Sequence, residues 1–136
     1  MIKTILFSSE KGGSNLALLI LRLTFGLLML SHGWAKWEAF DTLVAKEEFP
    51  SIIISVKVSL ILAILAELCC SLLVVVGAFT RIATIPIIFT MLVAIFVIHL
   101  GDPLAQKELA LLYLAGYTTI LIMGPGKISI DAMIKK

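Results

Sequence analysis

Charge is scarce in this sequence. Of 136 residues only 15% are Asp, Glu, Lys or Arg, against about 25% in an ordinary soluble domain, and 11 cations over 9 anions leave a net charge of +2. So small an excess builds no basic surface for a phosphate backbone, which excludes nucleic acid as a partner. Cysteine is scarcer still. The two present, Cys69 and Cys70, are adjacent, and a helix would point them about 100° apart, away from a mutual bridge. No CxxC pair and no Cys/His zinc spacing occurs, so both read as small packing residues. Nothing resembles a glycine-rich nucleotide or flavin fingerprint, and no internal repeat or low-complexity tract is present.

What is abundant is apolar. Hydrophobic side chains make up 60% of the chain, against roughly 45–50% in a soluble domain, and mean hydropathy is +1.11. That is the composition of a membrane protein, at a length suited to one small domain over residues 1–136. Residues 16–37, LALLILRLTFGLLMLSHGWAKW, organise the rest. About 20 apolar residues at 1.5 Å each cross the roughly 30 Å hydrocarbon layer, yet this stretch carries Arg22, His32 and Lys36. A charged group at such depth costs roughly 2.5–3.5 kcal/mol unless it faces a partner or a cavity. A cleaved leader has a similar outline, but its core is only 7–15 residues long and holds no arginine, so this stretch is expected to be retained.

Before it, an apolar patch from Ile5 to Phe7 suits the membrane surface, and Gly12-Gly13-Ser14-Asn15 suits a turn, with Ser14 or Asn15 as N-cap of the first span. On that span Arg22, Gly26, Met29 and Gly33 share one face, and the two glycines admit a close neighbouring helix. His32 and Lys36 form an i,i+4 pair near the far surface, where Trp34 and Trp37 are interfacial anchors. Residues 38–55 mix charges with Phe40, Leu43, Val44 and Phe49, which predicts a short amphipathic helix lying over the bundle and ended by Pro50.

The second span is expected over residues 56–79, with Glu67 near its middle, about 18 Å from Phe79. A carboxylate there seeks a cation, and Arg22 is nearest in depth. A turn at Gly77, Thr80 and Arg81 leads to a third span over 82–100, the most apolar, which Pro86 would kink and which suits contact with lipid or a second copy. His99 at its end comes to the depth of His32. A last span is expected over 106–123, opening with Lys107 and Glu108 and carrying Tyr113 and Tyr117 on one face. Lys3, Lys11, Arg81, Lys127, Lys135 and Lys136 fall on one side, and Lys36, Lys46, Lys57 and Lys107 on the other, which favours both termini in the cytoplasm. The fold class is therefore all-α: a four-helix integral membrane bundle with a short amphipathic helix in its first extracytoplasmic loop.

The blocks LILRLTFGLLMLSHGWAKW, AELCCSLLVVVGAFTRIA and GPGKISID, in this order, resemble the DoxX family of small membrane proteins. The resemblance matches Arg22, His32, Gly33, Lys36, Glu67, Gly77 and Arg81, then Gly124, Pro125, Gly126, Ser129 and Asp131, with Lys127 where arginine is common. It implies a bacterial inner-membrane protein associated with quinone-linked oxidoreductases or with thiol and oxidative-stress defence, as an accessory subunit with membrane or peripheral redox partners. Three readings stay open. In the first, His32, Lys36, His99 or a tyrosine such as Tyr113 donates to a quinone head group, and Glu67 or Glu108 passes protons. In the second, His32 and His99, with Glu108 near, ligate haem or a metal. In the third, the chain is a non-enzymatic scaffold for redox proteins, held together by Arg22 and Glu67.

Overall fold

The computed structural model describes residues 11–135, and every regular element within them is helical. Helix α1, Lys11–Glu38, starts earlier than the turn chemistry suggested and runs through Gly12 and Gly13. Asn15 is engaged elsewhere: its Oδ1 accepts from Lys127 N at 2.8 Å and ties the helix to the tail. The patch from Ile5 to Phe7 lies outside the described residues. Helix α2, Phe40–Ala45, is six residues with none buried. It stops short of Pro50, because Glu47 adopts φ 51° and turns the chain first. The connection then folds back, with the N–H groups of Ile52 and Ile53 donating to the buried Ser59 Oγ at 3.0 and 3.2 Å.

Helix α3, Val56–Val76, is capped by Ser55, whose side chain accepts from Val58 N. Its end is a Schellman turn: Ala78 N reaches Leu73 O at 2.9 Å and Gly77 N reaches Val74 O at 3.2 Å, with Gly77 at φ 74°. Helices α4, Thr80–Ile98, and α5, Leu104–Met123, follow, and α6, Ile130–Ile134, closes the tail. Among the described residues three helices, α1, α3 and α4, are long and apolar enough to cross a membrane. Helix α5 has 20 residues, but its opening turns carry Gln106, Lys107 and Glu108.

Lipid is as apolar as leucine, so helix association in a membrane rests on close packing and hydrogen bonds rather than on expulsion of water. The α1–α3 seam shows what this requires. A Cβ on Gly26 would come within 2.4 Å of Val75 Cγ2, and one on Gly33 within 3.0 Å of Glu67 Cβ, so only glycine lets these antiparallel helices meet. Helix α4 packs along α5 and across the middle of α3, around a core of Met29, Val74, Ile87, Met91, Tyr113, Tyr117 and Ile120. Its other side exposes Ile82, Ile85, Phe89 and Phe96, an apolar face of the kind a bilayer covers.

Two turns depart from α geometry. Ala66–Cys70 in α3 and Ala94–Ile98 in α4 are π-helical, and each π turn admits one extra residue and re-aims the side chains around it. The first holds Glu67; the second ends at His99.

Candidate functional site

Arg22 is 1% exposed and forms no ion pair with a carboxylate among the described residues. Its Nε donates to Val74 O at 2.9 Å and Nη2 to Val75 O at 3.0 Å, while Nη1 donates to Pro125 O at 2.6 Å and Ile128 O at 2.8 Å. The first two carbonyls belong to the last turn of α3, where Val74 O already accepts from Gly77 N and Val75 O has no backbone donor among the described residues, and a cation there also meets the negative end of the helix dipole. Arg22 thus caps α3 from a neighbouring helix and clamps the Gly-Pro-Gly tail to it. Gly77 leaves room for this: a Cβ there would lie 2.7 Å from Arg22 Nη2.

Asp131 completes the clamp. Its two oxygens accept from Phe79 N at 2.8 Å and Thr80 N at 2.9 Å, capping α4, while its own N–H donates to Gly77 O at 2.8 Å. Ser129 Oγ donates to Gly126 O at 2.7 Å and accepts from Ala132 N. Gly124 and Gly126, both at positive φ, shape the loop. Arg22, Gly77, the Gly-Pro-Gly run, Ser129 and Asp131 are therefore one joint at one end of the bundle.

Burial alone would raise the Asp131 carboxyl, but the hydrogen bonds from Thr80 and Phe79, with Lys135 nearby, hold it below its ordinary range. A depressed carboxylate contributes stability above its unfolded pKa, near 3.9, and loses it as pH falls through the lower folded value. Thermal unfolding of wild type and Asp131→Asn in detergent should therefore differ most at pH 5–7, and the gap should narrow below about pH 4.

The expected Arg22–Glu67 pairing is not formed. Glu67, 1% exposed, meets Lys36 instead, whose Nζ lies 2.7 Å from Oε1 and 2.5 Å from Oε2. Helical side chains lean toward their own N-terminus, so Lys36 reaches back over Gly33, the position that makes room for the carboxylate. Arg22 has its donors spent on carbonyls about two turns away along α3.

The pair lines a cavity of about 170 Å³ together with Met29, His32, Met91, His99, Gln106 and Tyr113. The His32 ring stands edge-on to Tyr113 at 5.6 Å, and His99 Nδ1 lies 2.7 Å from Asp102 Oδ2. The two tyrosines diverge in role. Tyr117 OH donates to Phe25 O at 3.1 Å and lies 3.3 Å from Ser71 Oγ, deep in the core. Tyr113 is 5% exposed and lines the cavity, and its hydroxyl has no hydrogen-bond partner among the described residues. A larger apolar groove of about 390 Å³ lies across α3 and α4, but its hydroxyls, Ser59 and Thr90, are committed to backbone. Chemistry is concentrated in the smaller cavity.

Of the residues singled out from sequence, His32, Lys36, Glu67, His99 and Tyr113 come together here, and Arg22 and Glu108 do not. Glu108 is exposed and off the cavity, whose α5 wall is made by Gln106, Leu109, Ala110 and Tyr113, at i, i+3, i+4 and i+7, with Tyr113 the buried one of the four. Gln106 and Asp102 were not anticipated, although Asp102 follows His99 by three residues across a Gly-Asp-Pro turn. Among the described residues no group of three or more His, Cys, Asp or Glu is placed to hold a metal ion.

A family model described as DoxX matches residues 17–100. The chain belongs to the DoxX family. The match takes in α3, α4 and most of α1, hence Arg22, Lys36, Glu67 and His99, and stops before Tyr113 and the Gly-Pro-Gly tail. An uncharacterized protein of Haemophilus influenzae is similar to this DoxX chain at 28% identity over 131 residues, which is 91% of this chain and 87% of that one. No solved structure matches.

Proposed function

We propose that this DoxX protein is a four-span protein of the bacterial inner membrane, with α5 as its fourth span and its tail in the cytoplasm, and that its polar cavity receives the head group of a quinone. The observation that carries the reading is the pair of a half-buried Lys36 and a buried Glu67 lining one small cavity with His32, His99 and the Tyr113 hydroxyl, which is unpartnered among the described residues. Size narrows the ligand. An engineered protein cavity of about 150 Å³ holds a benzene molecule, so about 170 Å³ suits a single six-membered ring and is too small for a haem or a flavin. Polarity narrows it further, since a quinone presents two carbonyl acceptors and the cavity offers donors at Tyr113 OH, His32 and the remaining Lys36 proton. Met29 and Met91 supply polarisable contacts to a flat ring. A bound quinone would supply two-electron, two-proton chemistry. The residues here orient it and hold protons, and a partner redox protein exchanges the electrons.

The test is protein purified in mild detergent, examined by absorbance and by solvent extraction with mass spectrometry, then titrated with a short-chain quinone. Saturable binding is expected, weakened about three- to tenfold by Tyr113→Phe, the loss of one hydrogen bond. Quinone binding that ignores both Tyr113→Phe and His32→Ala would remove this cavity as the site. A Soret band lost in His32→Ala or His99→Ala would replace the reading with haem ligation.

A further inference from the structure

At the joint end of the bundle a separate cavity of about 440 Å³ opens between the α3–α4 turn and the tail, lined by Phe79, Arg81, Ile82, Met123, Asp131 and Lys135 among others. Two cations stand on it. Arg81 is exposed, lies over Gly124, where a Cβ would come within 3.3 Å of Nε and Nη2, and donates from Nη2 to Ile122 O at 3.1 Å. That uses one of its five N–H donors, and no carboxylate pairs with it among the described residues. Lys135, also exposed, lies near Asp131. Asp131 is the cavity's one acid, and both of its oxygens are already bonded to Phe79 N and Thr80 N. The cavity therefore carries an excess positive charge with donors to spare.

Its flanks are greasy. Phe79 is 65% exposed, Ile82 68% and Ile122 71%, on helix ends that the proposed four-span topology sets where hydrocarbon gives way to head groups. Cations at the rim of a cavity with apolar walls running away from it match an amphiphile with a negative head. A free phosphate ion would satisfy the cations and leave the walls unused. We propose that this cavity binds an anionic phospholipid, its phosphate held by Arg81 and Lys135 and its acyl chains laid along Phe79 and Ile82. The inference is independent of any quinone in the other cavity.

The test uses the full chain, delipidated in a neutral detergent, with thermal unfolding followed as phosphatidylglycerol, phosphatidylcholine or glycerol phosphate is added. Phosphatidylglycerol should stabilise saturably and at lower concentration than phosphatidylcholine, and glycerol phosphate should do nothing. Arg81→Gln and Lys135→Gln should each weaken the apparent affinity for phosphatidylglycerol about fivefold, the worth of one interfacial charge, while Lys46→Gln on the far loop leaves it unchanged. Arg81→Lys guards against a folding defect: it retains charge and should keep most of the selectivity. Equal response to both lipids, selectivity that survives loss of both cations, or an equal effect of glycerol phosphate would each overturn the proposal.

Discussion

Arg22→Leu should yield little or no folded protein, and Arg22→Lys a folded but clearly weakened one. The leucine removes four hydrogen bonds from a charged donor, each worth about 1.5–3 kcal/mol, and strands the carbonyls they satisfied. Part of that loss is returned, because a buried guanidinium no longer has to be desolvated and because water can reach the tail carbonyls once the tail lifts. Val74 O keeps the Gly77 N–H, but Val75 O loses its donor. A net loss of about 4–5 kcal/mol is expected, close to the whole stability of a marginal domain. Lysine keeps a cation at the end of α3 but offers three donors from one nitrogen, which cannot span acceptors on two separate segments. About half the loss should remain. Unfolding by heat or by added denaturing detergent, read through Trp34 and Trp37, measures both. Because Asp131→Asn loosens the same tail from the other side, the double variant should cost less than the sum of the singles. Wild-type stability in Arg22→Leu would sink the account of the joint.

Arg22 also shows what could be read from the sequence and what could not. An arginine six residues into an apolar stretch announces that it faces inward, since lipid offers it nothing. Its partners carry no such announcement. They are four main-chain oxygens, and which carbonyls stand unpaired depends on where α3 ends and how the tail returns. For Glu67 the deciding quantity is reach: depth along ideal helices makes Arg22 the nearest cation, but the backward lean and length of Lys36 bring its ammonium to the carboxylate. Depth counting did place His32 and His99 at one level, and both line the cavity. On α5 depth alone does not decide, because which side chains reach the cavity depends on helix phase, and that phase sets Gln106 and Tyr113 on the cavity wall and Glu108 off it.

Lys36→Met should cost more than Glu67→Gln, and that asymmetry separates the two partners. Glu67 is 1% exposed and Lys36 28%, so removing the lysine leaves a buried carboxylate without its cation, a loss of about 3–5 kcal/mol. Removing the carboxylate instead frees a long side chain that can swing its ammonium toward the surface, for a loss nearer 1–2 kcal/mol. Lys36→Met combined with Glu67→Gln leaves no buried charge and should recover most of the stability of the first single variant, with a coupling of about 2 kcal/mol in a double-mutant cycle. Replacing both by apolar residues should recover more, since buried ion pairs often yield to packed hydrophobic side chains without loss. Stability and ligand binding then part company. If the pair is only a pin between α1 and α3, the recovered double variant binds quinone as wild type does. If Lys36 donates to the ligand, stability returns and binding does not, a split that unfolding and quinone titration on the same preparation would resolve.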